Sequence, residues 1–229
     1  MYLDSTYVLV LIGLLLGLWA QSSVRSAYRS ASQVMTRQGR PASEVVMELL
    51  HRNGNDTVVL GRVGGEMTDH YNPATGTLNL SDGVYDSASA AALGIAAHEA
   101  GHAMQKLTGY SPLSLRTAIV PVVNIGSQAA IPIFLLGMVL SFRPLAMIGI
   151  VLFGLTFFFA LITLPVEFDA SRRALRMLTE GGYVTAEEEN SVRRVLRAAA
   201  MTYVASAIAS LLNLIRLILI SGGSNRRRR

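Results

Sequence analysis

Cysteine is absent from the 229 residues, which excludes a disulfide framework and any thiolate metal site. A metal in this chain must be held by nitrogen and oxygen alone. Lysine is nearly absent too: Lys106 is the only one, so the formal charge of +5 comes almost wholly from arginine. Charged residues make up 15%, against roughly 25% in an ordinary soluble domain. Hydrophobic residues reach 51% and gather in long runs. This composition favours a small domain joined to a membrane bundle, with the arginine excess facing anionic lipid headgroups. No basic recognition module or stacking platform is visible, so no nucleic-acid partner is expected.

The first apolar run, Leu3 to Ala20, is interrupted only by Asp4, Ser5, Thr6 and glycines, and approaches the length of a spanning helix. A cleaved signal peptide is disfavoured, because no Lys or Arg precedes the run and no small-x-small site follows it. Arg25, Arg29, Arg37 and Arg40 come directly after it, and the positive-inside rule places them in the cytoplasm with the amino terminus outward. A second run, Ala118 to Leu140, breaks at Ser141-Phe-Arg-Pro144 and returns as Leu145 to Leu164, which predicts a pair of antiparallel spans. Pro121 and Pro132 are candidate kinks in the first of these. The last run, Ala199 to Ile220, carries Thr202, Ser206, Ser210, Asn213 and Arg216 at helical spacing, a stripe expected to face a bundle interior or a wet cavity. If it spans, the tail Arg226 to Arg229 lies outside against the charge rule. If it lies along the interface, the tail stays cytoplasmic.

Between the runs, Pro41 and Ser43 open a short amphipathic helix with Val45, Val46, Leu49 and Leu50 on one face and Gly54 past its end. Thr57 to Arg62 and Met67 to Tyr71 are predicted strands separated by Gly64-Gly65, and a turn over residues 72–76 leads to the strand Thr77-Leu78-Asn79-Leu80-Ser81. As an exposed sheet edge, this last strand would bind an extended peptide substrate through its main chain. The alternative is a small sheet that only covers the core.

The most informative stretch is His98-Glu99-Ala100-Gly101-His102. One helical turn separates the histidines, so both imidazoles leave the same face and can close on one metal ion, with Glu99 beside them. Neutral imidazoles suit Zn²⁺, and three protein ligands leave the fourth position to a water whose pKa falls to roughly 7. Glu99 would take that water's proton. The surrounding residues are small and favour a helix, with Asp86 or Ser87 available as its cap. Downstream, Pro165 to Ala174 is expected to begin a helix as the chain leaves the membrane, and Glu167 within it is placed to be a third ligand. Its other role would be a surface ion pair with Arg172 or Arg173. Asp169 is the alternative ligand, about 200° around a helix from Glu167. Glu187-Glu-Glu189 suits the solvated first turn of a helix after Thr185, and His51 a surface position near a helix end.

One span, then Thr-Leu-Asn-Leu-Ser, His-Glu-Ala-Gly-His, a span hairpin and Val166-Glu-Phe-Asp-Ala-Ser-Arg-Arg-Ala174: this order resembles the YugP-type family of bacterial membrane zinc metallopeptidases over nearly the whole chain. The broader class it resembles is the gluzincins, including the HtpX-type membrane proteases. The resemblance implies one Zn²⁺ per chain, held by His98, His102 and Glu167, with Glu99 as general base. It also implies a mainly α membrane protein, with three or four hydrophobic helices and a small gluzincin-like α+β catalytic unit containing a short β-sheet. Gluzincins commonly carry an aspartate four residues after the ligand glutamate, where it orients a zinc histidine. Ser171 stands there in this chain, which passes that role to another residue such as Asp169 or Asp86 or weakens it. The oxyanion stabiliser is open among Arg172, Arg173, His70, Tyr203 and Asn124.

The expected organisation is a span over 1–20, a cytoplasmic catalytic part over 21–117, a span hairpin over 118–164, a cytoplasmic glutamate-bearing segment over 165–198, a spanning or interfacial helix over 199–220 and a basic tail over 221–229. The expected function is a multi-pass endopeptidase of the cell membrane, active on its cytoplasmic side against membrane-associated or unfolded proteins. Hydrolysis of a lipid or other amide, and a metal-stabilised scaffold without turnover, are the alternatives. The oligomeric state has no signature in the sequence.

Overall fold

The computed structural model describes residues 5–226, with side chains as far as residue 222. Leu3 and Asp4 of the first apolar run and Arg227 to Arg229 of the tail lie outside the described residues. The elements, in order, are α1 (Tyr7–Ser32), α2 (Ala42–Arg52), β1 (Val59–Val63), β2 (His70–Asn72), β3 (Thr77–Ser81), α3 (Asp82–Tyr85), α4 (Ala90–Leu107), α5 (Ser111–Val139), α6 (Arg143–Glu180) and α7 (Ala186–Arg226). They form two compact units. One contains the chain up to Ala20, Leu115–Leu164 and the part from Thr202 onward; the other contains Gln21–Ser114 and Pro165–Met201.

In the first unit the helices are held by small residues. Among the described residues, α1, α5, α6 and α7 as far as Gly222 are each long and apolar enough to cross a membrane, which makes this a mainly α membrane protein. The α5–α6 turn falls at residues 140–142, where a break was expected, and Ser141 takes a φ of 53° there. A Cβ on Gly137 would meet the Ala146 nitrogen at 2.3 Å, and one on Gly149 the Phe134 nitrogen at 2.6 Å, so these two helices touch backbone to backbone. Pro121 and Pro132 both lie inside α5.

Helices α1 and α7 run antiparallel. A Cβ on Gly13 would lie 3.2 Å from that of Ala209, and the Arg216 guanidinium stacks 4.4 Å from the Tyr7 ring. The polar stripe of α7 is largely satisfied by its own backbone: Ser206, Ser210 and Asn213 donate to the carbonyls of Thr202, Ala207 and Ala209. Thr202, Ser210, Asn213 and Arg216 are half-buried and Ser206 is exposed.

The second unit has an ordinary buried core. Val45, Val46, Leu49 and Leu50 of α2 pack with Leu78 and Leu80 of β3, Leu93, Ala96 and Ala97 of α4, and Leu178 and Val192. The sheet order is β1-β3-β2, with β1 parallel and β2 antiparallel to β3. Thr77 to Ser81 is therefore the middle strand and not an exposed edge. Its whole length pairs with Val59 to Val63 on one side, and Thr77 to Asn79 pair with β2 on the other. The first two strands also start two and three residues later than predicted, at Val59 and His70.

Two further expectations change. Pro165 does not begin a new helix but lies inside α6, which continues to Glu180. Glu188 is not solvated: it is buried, its carboxylate accepts from the backbone nitrogens of Thr185 and Arg37, and its own backbone N–H donates to the Thr185 hydroxyl oxygen, completing a capping box. The carboxylate thus ties the start of α7 to the segment after α1.

Candidate metal centre

The helix α4 carries the histidines, and its small residues explain how other chain segments reach them. Its cap is Ser89, whose side chain accepts from the Ala92 nitrogen at 3.2 Å, and not Asp86 or Ser87. Ser87 instead hydrogen-bonds Ser89, and Asp86 pairs with Arg62. Asp86 is thereby also removed as a partner of His98 and His102. At Gly101 a Cβ would lie 2.5 Å from the Ala170 carbonyl oxygen, so only glycine lets α6 lie this close against α4. Ala170 is one turn beyond Glu167, and the close crossing carries that carboxylate to the histidines.

His98, His102 and Glu167 each present one ligand atom, all within 4.8 Å of one another. His98 Nε2 lies 3.3 Å and His102 Nε2 3.6 Å from Glu167 Oε2. Tetrahedral zinc with bonds of about 2.0–2.2 Å holds its ligand atoms roughly 3.3–3.6 Å apart, so the donor set fits this ion in chemistry and both histidine–Glu167 distances fit it in spacing. Glu167 is 2% exposed, a burial that a carboxylate tolerates only beside compensating charge. Burial lowers the pKa of His102, but hydrogen bonding to Glu167 and the charges of Glu99 and Glu167 outweigh this and hold it above its ordinary value. The pocket thus has the negative potential that suits a cation.

Glu99 is 9% exposed and accepts from the Tyr71 backbone nitrogen at 2.8 Å. Tyr71 pairs with Leu78 across the sheet, so an N–H that reaches Glu99 leaves β2 on its outer edge. Ser171 Oγ sits 3.2 Å from His98 Nδ1, in the place where gluzincins were expected to put an aspartate. Asp169 does not join the ligand cluster. It accepts from Gln105 and Arg173, and Gln105 in turn contacts His102 Nδ1 at 3.0 Å.

The oxyanion candidates separate. His70 is engaged by the Thr68 carbonyl and Asn79, Arg173 by Asp169 and the Tyr110 ring, and Arg172 is exposed. Asn124 and Tyr203 belong to the other compact unit. His51 is exposed and paired with Asp56, as expected for a surface position. Gln105 and the Tyr71 nitrogen were not singled out from the sequence. The spacing His102-x-x-Gln105 was available as a signal, since it puts the amide on the same helical face.

An α-helical His-Glu-x-x-His pair joined by a glutamate from a second helix, in a chain with four apolar helices, defines a membrane protein with a zinc-hydrolase type of centre. The family model described as "Putative neutral zinc metallopeptidase" matches residues 6–222. The chain is 43% identical over 212 residues to "Putative membrane protease YugP" of Bacillus subtilis (strain 168), covering 93% of this chain and 94% of that protein. No solved structure matches the chain. The chain belongs to the neutral zinc metallopeptidase family; its cofactor is zinc, and the cluster of His98, His102 and Glu167 can hold a metal ion.

Proposed function

We propose that this protein is an integral-membrane zinc endopeptidase whose active centre, at the cytoplasmic face, cleaves membrane-associated or unfolded proteins. The observation that carries this is the convergence of the His98, His102 and Glu167 ligand atoms with Glu99 on the same helix. In this reading the two imidazoles and the Glu167 carboxylate hold the zinc. When bound, the ion lowers the pKa of a water and polarises the peptide carbonyl. Glu99 takes the proton of the attacking water and passes it to the departing amine. His98, His102 and Glu167 turn their ligand atoms inward, held there by Ser171, Gln105 and the close α4–α6 crossing.

The substrate's main chain would pair with the outer edge of β2 rather than with Thr77 to Ser81. The Tyr71 N–H already leaves that edge toward Glu99, and an extended peptide laid there brings its carbonyls to the general base. The cytoplasmic assignment rests on Arg25, Arg29, Arg37 and Arg40 after the first span, and the choice of substrates on the mere two residues that separate Glu167 from the end of an apolar run. Because the chain has no cysteine, Glu44→Cys gives a single thiol near Arg40. Resistance to a membrane-impermeant thiol reagent in intact cells supports the cytoplasmic placement, and ready labelling reverses it.

The activity is tested by incubating an unfolded reporter protein with the zinc-loaded chain in lipid, beside Glu99→Gln of equal zinc content. Cleavage by the wild type with a loss of at least about 100-fold in the variant supports the proposal. Equal silence in both, with zinc bound, overturns it in favour of a metal-bearing scaffold.

A further inference from the structure

Gln105 is wholly buried, one turn beyond His102, and its amide meets three partners. Nε2 donates to the Val166 carbonyl at 2.8 Å and to Asp169 Oδ2 at 3.0 Å, while Oε1 lies 3.0 Å from His102 Nδ1. Asp169 Oδ2 also accepts from Arg173 Nε at 2.6 Å. A carboxamide has one end that only donates and one that only accepts. Here the donating end faces a carbonyl and an arginine-held carboxylate, both acceptors. Flipping the amide would set oxygen against two oxygens, so its orientation is determined by its partners.

The end turned toward His102 is therefore the oxygen, and the imidazole answers with a hydrogen on Nδ1, the closer of its two acceptor contacts, since Nε2 lies 3.6 Å from Glu167 Oε2. A neutral ring protonated there carries its lone pair on Nε2, the atom that faces Glu167. We infer that Gln105 is the positioning residue that locks His102 in its metal-binding tautomer, and that the Asp169–Arg173 pair locks Gln105. This rests on reading His98, His102 and Glu167 as the zinc ligands. The two histidines are not held alike. Ser171, whose hydroxyl both donates and accepts, meets His98 Nδ1 and demands no hydrogen there, while Glu167 Oε2, which only accepts, lies 3.3 Å from His98 Nε2.

The test uses zinc-free protein in lipid, labelled with ¹⁵N at its four histidines, at alkaline pH, together with zinc titration against a competing chelator. The wild type should show His102 with its proton on Nδ1, and His98, whose Nε2 lies 3.3 Å from Glu167 Oε2, with its proton on Nε2. Gln105→Met, which keeps the side-chain length but removes the amide, should give His102 a mixed population and weaken zinc binding about 10–100-fold. Asp169→Asn should move both readouts the same way by a smaller factor. A single Nδ1–H tautomer and wild-type zinc affinity in Gln105→Met overturn the inference. Should that variant fail to fold by circular dichroism, Asp169→Asn decides by the same criterion. A wild type that binds no zinc, yet shows a His102 tautomer dependent on Gln105, overturns the zinc reading and leaves the lock in place.

Discussion

The two compact units obey different solvents. In the second, the side chains of Glu99, His102, Gln105, Glu167 and Glu188 are buried, over a core of leucine, valine and alanine. In the first, Thr163 is the one buried polar side chain among the described residues, while Leu14, Val122, Ile125, Val139 and Phe158 face outward. Lipid makes outward leucines costless and buried charges expensive, so the apolar unit is assembled by close helix contact at Gly13, Gly137 and Gly149. The other unit has a conventional core to draw on, and spends part of that stability on a pocket of carboxylates and imidazoles. Chemistry is therefore concentrated where water-type folding can support it.

The sharpest break of this comparison is Glu167→Ala. It should abolish stoichiometric zinc, measured by metal analysis after dialysis, while helical content and membrane insertion stay at wild-type levels. Retained zinc would remove Glu167 from the ligand set. Next in size is Ile125→Asp, in the middle of α5 and 74% exposed. A carboxylate at the centre of a span costs about 2.5–3.5 kcal/mol, so the membrane-inserted fraction should fall, as read by carbonate extraction. Met35→Asp, 61% exposed in the other unit, should change stability by no more than about 0.5 kcal/mol. Equal effects at the two positions would mean that both surfaces meet the same solvent.

Gly101→Ala comes third. Its Cβ would collide with the Ala170 carbonyl, and forcing the helices apart should destabilise the unit by about 1–3 kcal/mol and weaken zinc through displacement of Glu167. Gly17→Ala, where nothing lies within 4 Å, should be neutral or slightly stabilising in thermal denaturation. A harmless Gly101→Ala would show that the crossing has slack and that glycine in the motif is there for another reason.

What was legible in the sequence is what local pattern encodes. The histidine helix, the amphipathic α2, the Thr77–Ser81 strand and the break near Ser141 follow from spacing, turn chemistry and apolar run length, and the structure has each of them. The sheet's order was not legible, because the parallel pairing of β1 with β3 places β2 outside a neighbour that follows it in sequence. No local periodicity carries that information. A helix was expected to start at Pro165 as the chain leaves the membrane, yet a span already running through the proline loses only one backbone bond. Ser89 displaced Asp86 as the cap because Asp86 faces Arg62 from a distant strand. Gln105 and Glu188 escaped for a common reason: each is an ordinary polar residue on a helix until a segment far away in the chain supplies its partner.

Arg62 tests the comparison from its weak side. Its guanidinium contacts Asp82 at 2.7 Å and Asp86 at 2.8 Å and stacks 5.1 Å from the Tyr85 ring, so by contact it is as well furnished as any residue of the metal centre. Yet all three charged side chains are about half exposed or more, and water solvates them whether or not they meet. Such pairs contribute about 0–1 kcal/mol, screened further by salt. Arg62→Met should therefore shift the thermal midpoint slightly at low ionic strength, and the difference from wild type should shrink as salt is added. A loss that is large and indifferent to salt would mean that the strand β1, which carries Arg62, is held to α3 by this network rather than by β3 and the core, and that exposed charge matters to this unit as much as buried charge does.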